Sequence, residues 1–375
     1  MPKFVLIPDS YKGTLSSKEV CAVMAGAIEK RFPGSEVVSI PVADGGEGTV
    51  DAFLSALKGE RISLKVTGPL WEPVTASYAF CSEGIAVIEM AAAAGLPLVG
   101  KKLDVGGATT YGVGELIDDA IKRGARKIIL GLGGSATNDG GCGAAAALGA
   151  IFRKSDHTTF VPTGATLKDI ASIDMDVLRT KFANIELQAM CDINNPLCGP
   201  LGAAAVFGPQ KGATPEQVAL LDQGLKHLAA LLLKATGRNV DELPGAGAAG
   251  GMGAGAAAFF QGELVPGIEA VLDTVGFDKI IADADYIFTG EGCLDEQSFM
   301  GKVLSGVLKR AKQANVPVIA VAGGIKALPP AAYEQGLMAA FSISTLPIPL
   351  AEAAPRSKDN LALVMDNILR MMKIF

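Results

Sequence analysis

Short apolar runs alternate with helix signals at the start of this chain and again at its end, and that repeated alternation constrains the fold more than any other feature. Residues 3–7 read as a strand. The Ser16-x-x-Glu19 pair is a capping box that opens a helix over 17–31, and Phe32-Pro33-Gly34 stops it. A second strand follows over 36–42, then the loop DGGEGT, then a helix to about residue 58. From about residue 267 the pattern returns: a helix to about 281, strand 285–288, helix 301–314, strands 318–321 and 340–344, and a closing helix over 357–372. Two strands at the start and three at the end make a five-stranded βα set. This predicts an α/β chain whose doubly wound parallel sheet is built from both chain ends, residues 1–60 plus 262–375.

Residues 61–261 read as an inserted mixed α/β domain. Three strand-like runs, 61–67, 74–80 and 85–90, are separated by turn residues and no helix, so they pair antiparallel. A helix over 110–123, strand 127–130, a glycine-rich turn, a helix over 140–148 and strand 185–190 follow. Thr214-Pro215-Glu216-Gln217 is a second capping box with proline at the first helical position. Its helix runs to Ala235, with Val218, Leu221, Leu225, Leu228 and Leu232 as the core stripe. The segment PGAGAAGGMGAG at 244–255 is too rich in glycine for an ordinary element interior and reads as a loop, with a helix beginning near its end.

Composition excludes several classes. Of 375 residues 49% are hydrophobic and 19% charged, which supplies a core and argues against disorder. The net charge of −6 and the lack of any long Lys/Arg run argue against nucleic acid. The greasiest window, IAVIEMAAAAGLPLV, is interrupted by Glu89 and too short for a bilayer. No charged-then-apolar leader precedes the first strand, so a cytoplasmic location is expected. None of the six cysteines forms Cys-x-x-Cys, and they read as free thiols. The only histidines, His157 and His227, lie beside no nucleophile motif. Chemistry is left to carboxylates, lysines, backbone amides and a hard metal ion.

In a doubly wound sheet, ligands bind beyond the carboxyl ends of the strands. Five strand ends here carry glycines or oxygen ligands: Asp9, Ser10, Lys12 and Gly13; Asp44 to Thr49; GLGGSATNDGG at 131–141; Cys191 to Asn195; and TGEGCLDEQS at 289–298. The 131–141 loop suits an anion, with Ser135 and Thr137 as hydroxyl donors, yet no Gly-Lys-Ser/Thr follows, so it is not a Walker A loop. Gly131, Gly133 and Ala136 also fit Gly-x-Gly-x-x-Ala, which keeps a dinucleotide site and a plain tight turn open beside the phosphate cradle. Asp44, Asp192 and Asp295 follow strand ends and suit Mg2+ or a general base, against turn-making aspartates. Lys12 and Lys302 are candidate cations, and Lys211 in FGPQKGA is a weaker one.

The strings PDSYKGTLSS, PVADGGEGTVDA, EMAAAAGL, GLGGSATNDGGCG, CDINNPLCGPLGAA, FGPQKGA, PGAGAAGGMGAG and TGEGCLDEQS with Gly301-Lys302 together resemble the type 1 bacterial glycerate kinase family. The resemblance runs from residue 8 to beyond 320. It implies a flavodoxin-like domain with an inserted domain, and phosphoryl transfer from ATP to D-glycerate with Mg2+, the 2-position favoured. Two positions depart from it: Cys293 stands where the family pattern has arginine, and Val303-Leu304 follows Lys302 where proline is usual.

On that resemblance the ATP phosphates are expected at Gly133, Gly134, Ser135, Thr137 and Asn138, with Lys302 also on the nucleotide. Asp192 is expected to hold Mg2+, and Asp9, Ser10 and Lys12 to grip glycerate, with Lys12 facing its carboxylate. Asp44 or Asp295 is expected to orient the attacking hydroxyl, and the glycines at 250–255 to let a ligand approach or to hinge the domains, which would close to exclude water. The partners are D-glycerate and ATP, with a homodimer left open. The rival readings are an NAD(P)-dependent oxidoreductase of a small hydroxy acid and a non-catalytic sensor of a small acid.

Overall fold

The computed structural model describes residues 1–42, 48–299 and 301–372 and is an α/β structure. It divides into two compact units: residues 1–43, 55–57 and 268–375, and residues 44–54 and 58–267. Among the described residues no helix is long and apolar enough to cross a membrane.

The first unit is built on a five-stranded sheet. Its spatial order is Leu337–Ser342, Val318–Ala322, Tyr286–Thr289, Lys3–Leu6, Glu36–Ser39, and every neighbouring pair is parallel. Counted along the chain from the Glu36–Ser39 edge, this is the 2-1-3-4-5 order of doubly wound flavodoxin-like sheets. The strand Lys3–Leu6 is central, with Phe4 opposite Tyr286 on one side and Val37 on the other. Phe4, Leu6, Phe288, Ile319 and Val321 pack with Val20, Met24 and Ile28 of the helix Ser17–Arg31 and with Leu361, Met365 and Leu369 of the helix Ser357–Met372. The first helix begins where the capping box predicts: the Ser16 hydroxyl accepts from the Glu19 amide, and Glu19 accepts from the Ser16 amide.

The second unit carries a six-stranded mixed sheet. Glu263–Val265, Glu186–Met190, Lys127–Gly131 and Ile85–Glu89 run parallel, and Pro73–Cys81 and Gly59–Thr67 continue antiparallel. Thr214 caps the helix Pro215–Thr236, which Gly237 ends in a left-handed conformation, φ 73°.

Two expectations are corrected. The 244–255 segment is not a loop throughout: a helix covers Ala248–Phe259, and its residues 252–259 are buried. Glycine there serves close packing. A Cβ on Gly253 would lie 2.3 Å from the Gly245 carbonyl oxygen, and one on Gly255 2.6 Å from that of Gly140. The left-handed residues Ala249, Gly250 and Gly251 turn the chain into this helix. The helix expected to run to about residue 281 is broken at left-handed Gly276 into Gly267–Val275 and Phe277–Ile281.

Gly250→Ala tests this packing. A Cβ there would lie 1.9 Å from the Thr137 carbonyl oxygen, at φ +68°. Overpacking and left-handed strain together cost about 3 kcal/mol or more, which chemical denaturation would register as a lowered midpoint.

Candidate active site

In the first unit the strand order places the topological switch between Lys3–Leu6 and Tyr286–Thr289, where doubly wound folds bind ligands. The two strand ends are stitched together beyond the sheet: the Ile7 amide donates to the Phe288 carbonyl at 2.8 Å, the Thr289 hydroxyl to the Ile7 carbonyl at 2.8 Å, and the Asp9 amide to the Gly290 carbonyl at 2.7 Å. Tyr11 anchors the turn over residues 11–15. Its side chain is 1% exposed and its hydroxyl donates to the Val321 carbonyl. The Tyr11 and Leu15 backbones bridge one another, so Lys12 and Gly13, φ +80°, sit exposed on a tight turn. Asp9 and Ser10 are half-buried at its base, with the Ser10 amide donating to Asp9 Oδ1 at 2.6 Å.

The loop after Tyr286–Thr289 lies against this turn. A Cβ on Gly292 would come 3.1 Å from the Lys12 backbone nitrogen, a tight approach between the two loops, and one on Gly290 would lie 1.8 Å from the carbonyl oxygen of Val321 in the neighbouring strand, where only glycine fits. Glu291 stands between these glycines, half-buried. Burial pushes its carboxyl above its ordinary value, and the negative charges of Asp9 and Asp295 act in the same direction; the Ser298 hydroxyl and Lys302 pull it back. Asp9, Glu291, Asp295 and Lys302 thus form one electrostatic group.

The expected residues of this group have distinct local roles. Asp295 is a turn-maker as well as a carboxylate of the group: its Oδ1 accepts the Gln297 and Ser298 amides at 2.9 and 3.3 Å, and its own amide donates to the Ser298 hydroxyl. Lys302 is exposed and precedes the helix Val303–Ala314, its carbonyl accepting the Ser305 hydroxyl at 2.8 Å. Cys293 is exposed. Asp44 lies outside the described residues. Sequence patterns do not single out Glu291, although it lies within the strand-end string TGEGCLDEQS.

In the second unit the register aligns three loops at one end of the sheet. Gly131 is opposite both Glu89 and Met190, so the loops beyond those residues leave the sheet side by side. Gly134 is exposed at φ +73° and Gly133 is half-exposed; Ser135, Thr137 and Asn138 are buried. The Ser135 hydroxyl and the Thr137 carbonyl accept from Lys211 Nζ at 2.8 and 2.7 Å. Thr137 Oγ1 and both amide atoms of Asn138 are buried without a hydrogen-bond partner among the described atoms.

Asp139, which sequence patterns do not distinguish, organises this loop. It is fully buried; Oδ2 accepts the Thr110 amide and hydroxyl and the Gly143 amide, and Oδ1 accepts the Gly141 amide. Burial pushes its carboxyl up while these four donors pull it down. Asp192 is exposed at the end of Glu186–Met190, and its Oδ1 accepts the Gly267 amide at 2.8 Å.

The dinucleotide alternative lacks a second parallel strand at the fingerprint's spacing. After the 131–141 loop the chain enters a separate antiparallel sheet of Ile151–Arg153, Thr159–Phe160 and Ser172–Asp174. The parallel neighbour of Lys127–Gly131 that follows in the chain is Glu186–Met190, so the acid at its end, Asp192, stands about 50 residues beyond the loop, where the fingerprint has its ribose-binding acid at about 20.

Residues 4–373 match the sequence model of the glycerate kinase family. The chain belongs to the glycerate kinase family. It is 47% identical over 374 residues to a glycerate kinase of Bacillus cereus, covering 99% of this chain and 98% of that one. It is 42% identical to the glycerate 2-kinase of Escherichia coli K12, again covering 99% and 98%. A solved structure described as a glycerate kinase 2 from Salmonella typhimurium LT2 superposes with a TM-score of 0.89 at 41% identity, covering 100% of this chain and 98% of that one. Like its family, the chain is an enzyme that phosphorylates glycerate.

Proposed function

We propose that the enzyme transfers the γ-phosphoryl group of ATP, in the presence of Mg2+, to the 2-hydroxyl of D-glycerate. The observation that carries this reading is the shared register of Glu89, Gly131 and Met190, which sets the exposed Gly133–Gly134 backbone and the Asp192 carboxylate at one end of one sheet. Close backbone and a nearby carboxylate are what a triphosphate with its metal requires. The name of the Escherichia coli relative favours the 2-position.

Among the described residues no group of three or more His, Cys, Asp and Glu side chains is arranged to hold a metal. Mg2+ bound with a nucleotide usually takes one or two protein carboxylates and completes its shell with water and phosphate oxygens. The donor set here fits such a substrate-borne ion, with Asp192 as the protein ligand. When bound, the ion would neutralise charge on the transferring phosphoryl oxygens.

The chain's own residues do the rest. The Gly133–Gly134 backbone seats the phosphates, and Lys302 adds a positive charge for the nucleotide. Asp9, Ser10 and Lys12 hold glycerate, with Lys12 opposite its carboxylate. Glu291 accepts the proton of the attacking hydroxyl. It is favoured over Asp295 because two backbone amides already occupy Asp295 Oδ1, which holds that carboxylate to its turn.

Glu291→Gln is accordingly expected to lower kcat by roughly 100-fold or more, in the range general bases supply, with the glycerate KM little changed. A base must be deprotonated, and burial raises this carboxyl above its ordinary 4.5. Activity should therefore fall as pH drops through a point above 4.5, and that acid limb should vanish in the variant. A pH profile of kcat in which the wild type and Glu291→Gln lose activity in parallel would remove Glu291 from the step.

The regiochemistry is tested by the product. A coupled assay that consumes 2-phosphoglycerate directly should report turnover without added phosphoglycerate mutase. Turnover seen only with the mutase would assign the 3-hydroxyl.

A further inference from the structure

Lys211 is the only buried lysine or arginine among the described residues, 3% exposed. It ends the short turn Pro209–Lys211, which Gly212 closes at φ 92°. Its Nζ crosses to the 131–141 loop and donates to two acceptors, Ser135 Oγ and the Thr137 carbonyl. The second of these is also pinned from the other side, since Gly250 approaches it more closely than any Cβ would permit.

Burying a lysine is costly, and an apolar side chain of similar volume would fill the same space without that cost. Burial pulls the Lys211 amine down to about 7, with the charge of Asp139 opposing. In either protonation state the amine has an N–H for each of the two acceptors it meets. The loop is therefore gripped from within at two places. Asp139 ties residues 139–143 to Thr110, and Lys211 ties Ser135 and Thr137 to the 209–211 turn. Between strand end and first grip, Gly133 and Gly134 are the residues left at the surface.

We propose that Lys211 is a positioning residue for phosphate binding: by fixing Ser135 and Thr137 from inside the fold, it holds the Gly133–Gly134 backbone in the conformation that receives the ATP phosphates. This rests on the reading of 131–141 as the nucleotide loop. It also reassigns the buried hydroxyl of Ser135, which serves as an anchor for Lys211 and not as a donor to the phosphate.

Steady-state kinetics on full-length Lys211→Met, Ser135→Ala, the double variant and Gly133→Asp separate the possibilities. Each single anchor variant is expected to raise the ATP KM by about tenfold, the scale of one hydrogen bond to a charged or buried partner, with the glycerate KM within about twofold. The double variant should rise no further than Lys211→Met alone, because the tie lost in Ser135→Ala is one of the two that Lys211→Met already removes. Gly133→Asp places a carboxylate on the exposed backbone and should raise the ATP KM by about tenfold or more through like-charge repulsion.

If Gly133→Asp raises the ATP KM but neither anchor variant does, the positioning role is overturned and the loop assignment stands. If Gly133→Asp leaves the ATP KM unchanged, the loop assignment itself fails and the inference with it. Equal losses for both substrates in the anchor variants would mark Lys211 as structural only. Should Lys211→Met fail to fold, Ser135→Ala decides the matter, since it removes one tie and leaves the lysine in place.

Discussion

Replacing Asp192 with asparagine is expected to lower kcat by on the order of 100- to 1,000-fold, the scale seen when one preorganised charge-stabilising group is removed. Asparagine keeps a side-chain oxygen able to accept the Gly267 amide, the bond that Asp192 Oδ1 makes here at 2.8 Å. The fold should therefore survive, with Tm within about 2 °C of the wild type. The loss is the negative charge proposed to hold the Mg2+ that accompanies ATP. The dependence of rate on Mg2+ concentration should shift upward in the variant, because a neutral amide is a poor ligand for a hard cation. Near-normal turnover, with an unchanged Mg2+ dependence, would remove Asp192 from the mechanism and return it to a turn residue at a strand end.

The second large effect is expected at Lys12. Lys12→Met should raise the glycerate KM by about 10- to 100-fold, which corresponds to loss of one charge-assisted hydrogen bond to a carboxylate. The ATP KM should stay within about twofold. The variant should fold, because Lys12 is exposed and the turn that presents it is held by Tyr11, buried beneath the sheet ends. Methionine keeps most of the apolar stem of the side chain and removes the charge with its N–H donors. The reverse pattern, with the ATP KM raised and the glycerate KM unchanged, would place Lys12 on the nucleotide. Glycerol offered as acceptor supplies a control: it lacks the carboxylate, so the wild type and Lys12→Met should use it equally poorly.

Sequence patterns that depend on local chemistry are legible. The Ser16/Glu19 and Thr214/Gln217 boxes mark helix starts because the capping contacts lie within four residues, and both are present. The five parallel strands and the antiparallel run of three are readable from period and spacing, since a strand without an intervening helix has only a hairpin route to its neighbour. Features set by partners distant in sequence are not legible. The helix Ala248–Phe259 looks like a loop because glycine is a poor helix former in isolation. Its compensation, close packing against Gly140 and Gly245, exists only in three dimensions.

The candidate site shows the same division. The strand-end loops can be named from sequence, but burial within them cannot. Ser135 and Thr137 look like donors to an anion, and in the fold one is bonded to Lys211 and the other is fully enclosed. Asp139 stands in the same loop without a distinguishing mark, because four donors converging from residues 110, 141 and 143 leave no trace in the local pattern. Glu291 is hidden for a related reason: burial shifts it, together with the charges of Asp9, Asp295 and Lys302, and Asp9 lies about three-quarters of the chain away.

The pairing of Phe4 with Tyr286 has a consequence for biosynthesis. The central strand of the first unit's sheet leaves the ribosome ahead of the second unit. Of its two neighbours, Glu36–Ser39 emerges soon after it, but Tyr286–Thr289 emerges only after the whole second unit has been made. Until then an apolar strand, fully buried at Phe4, Val5 and Leu6 in the finished protein, has one edge without its native partner. Such an edge is a template for the wrong chain. The nascent polypeptide thus carries a vulnerability that the mature enzyme does not, and it is longest-lived when translation is slow. Expression yield should respond to chaperone supply and to the pace of elongation through residues 58–267 more than to the stability of the finished sheet.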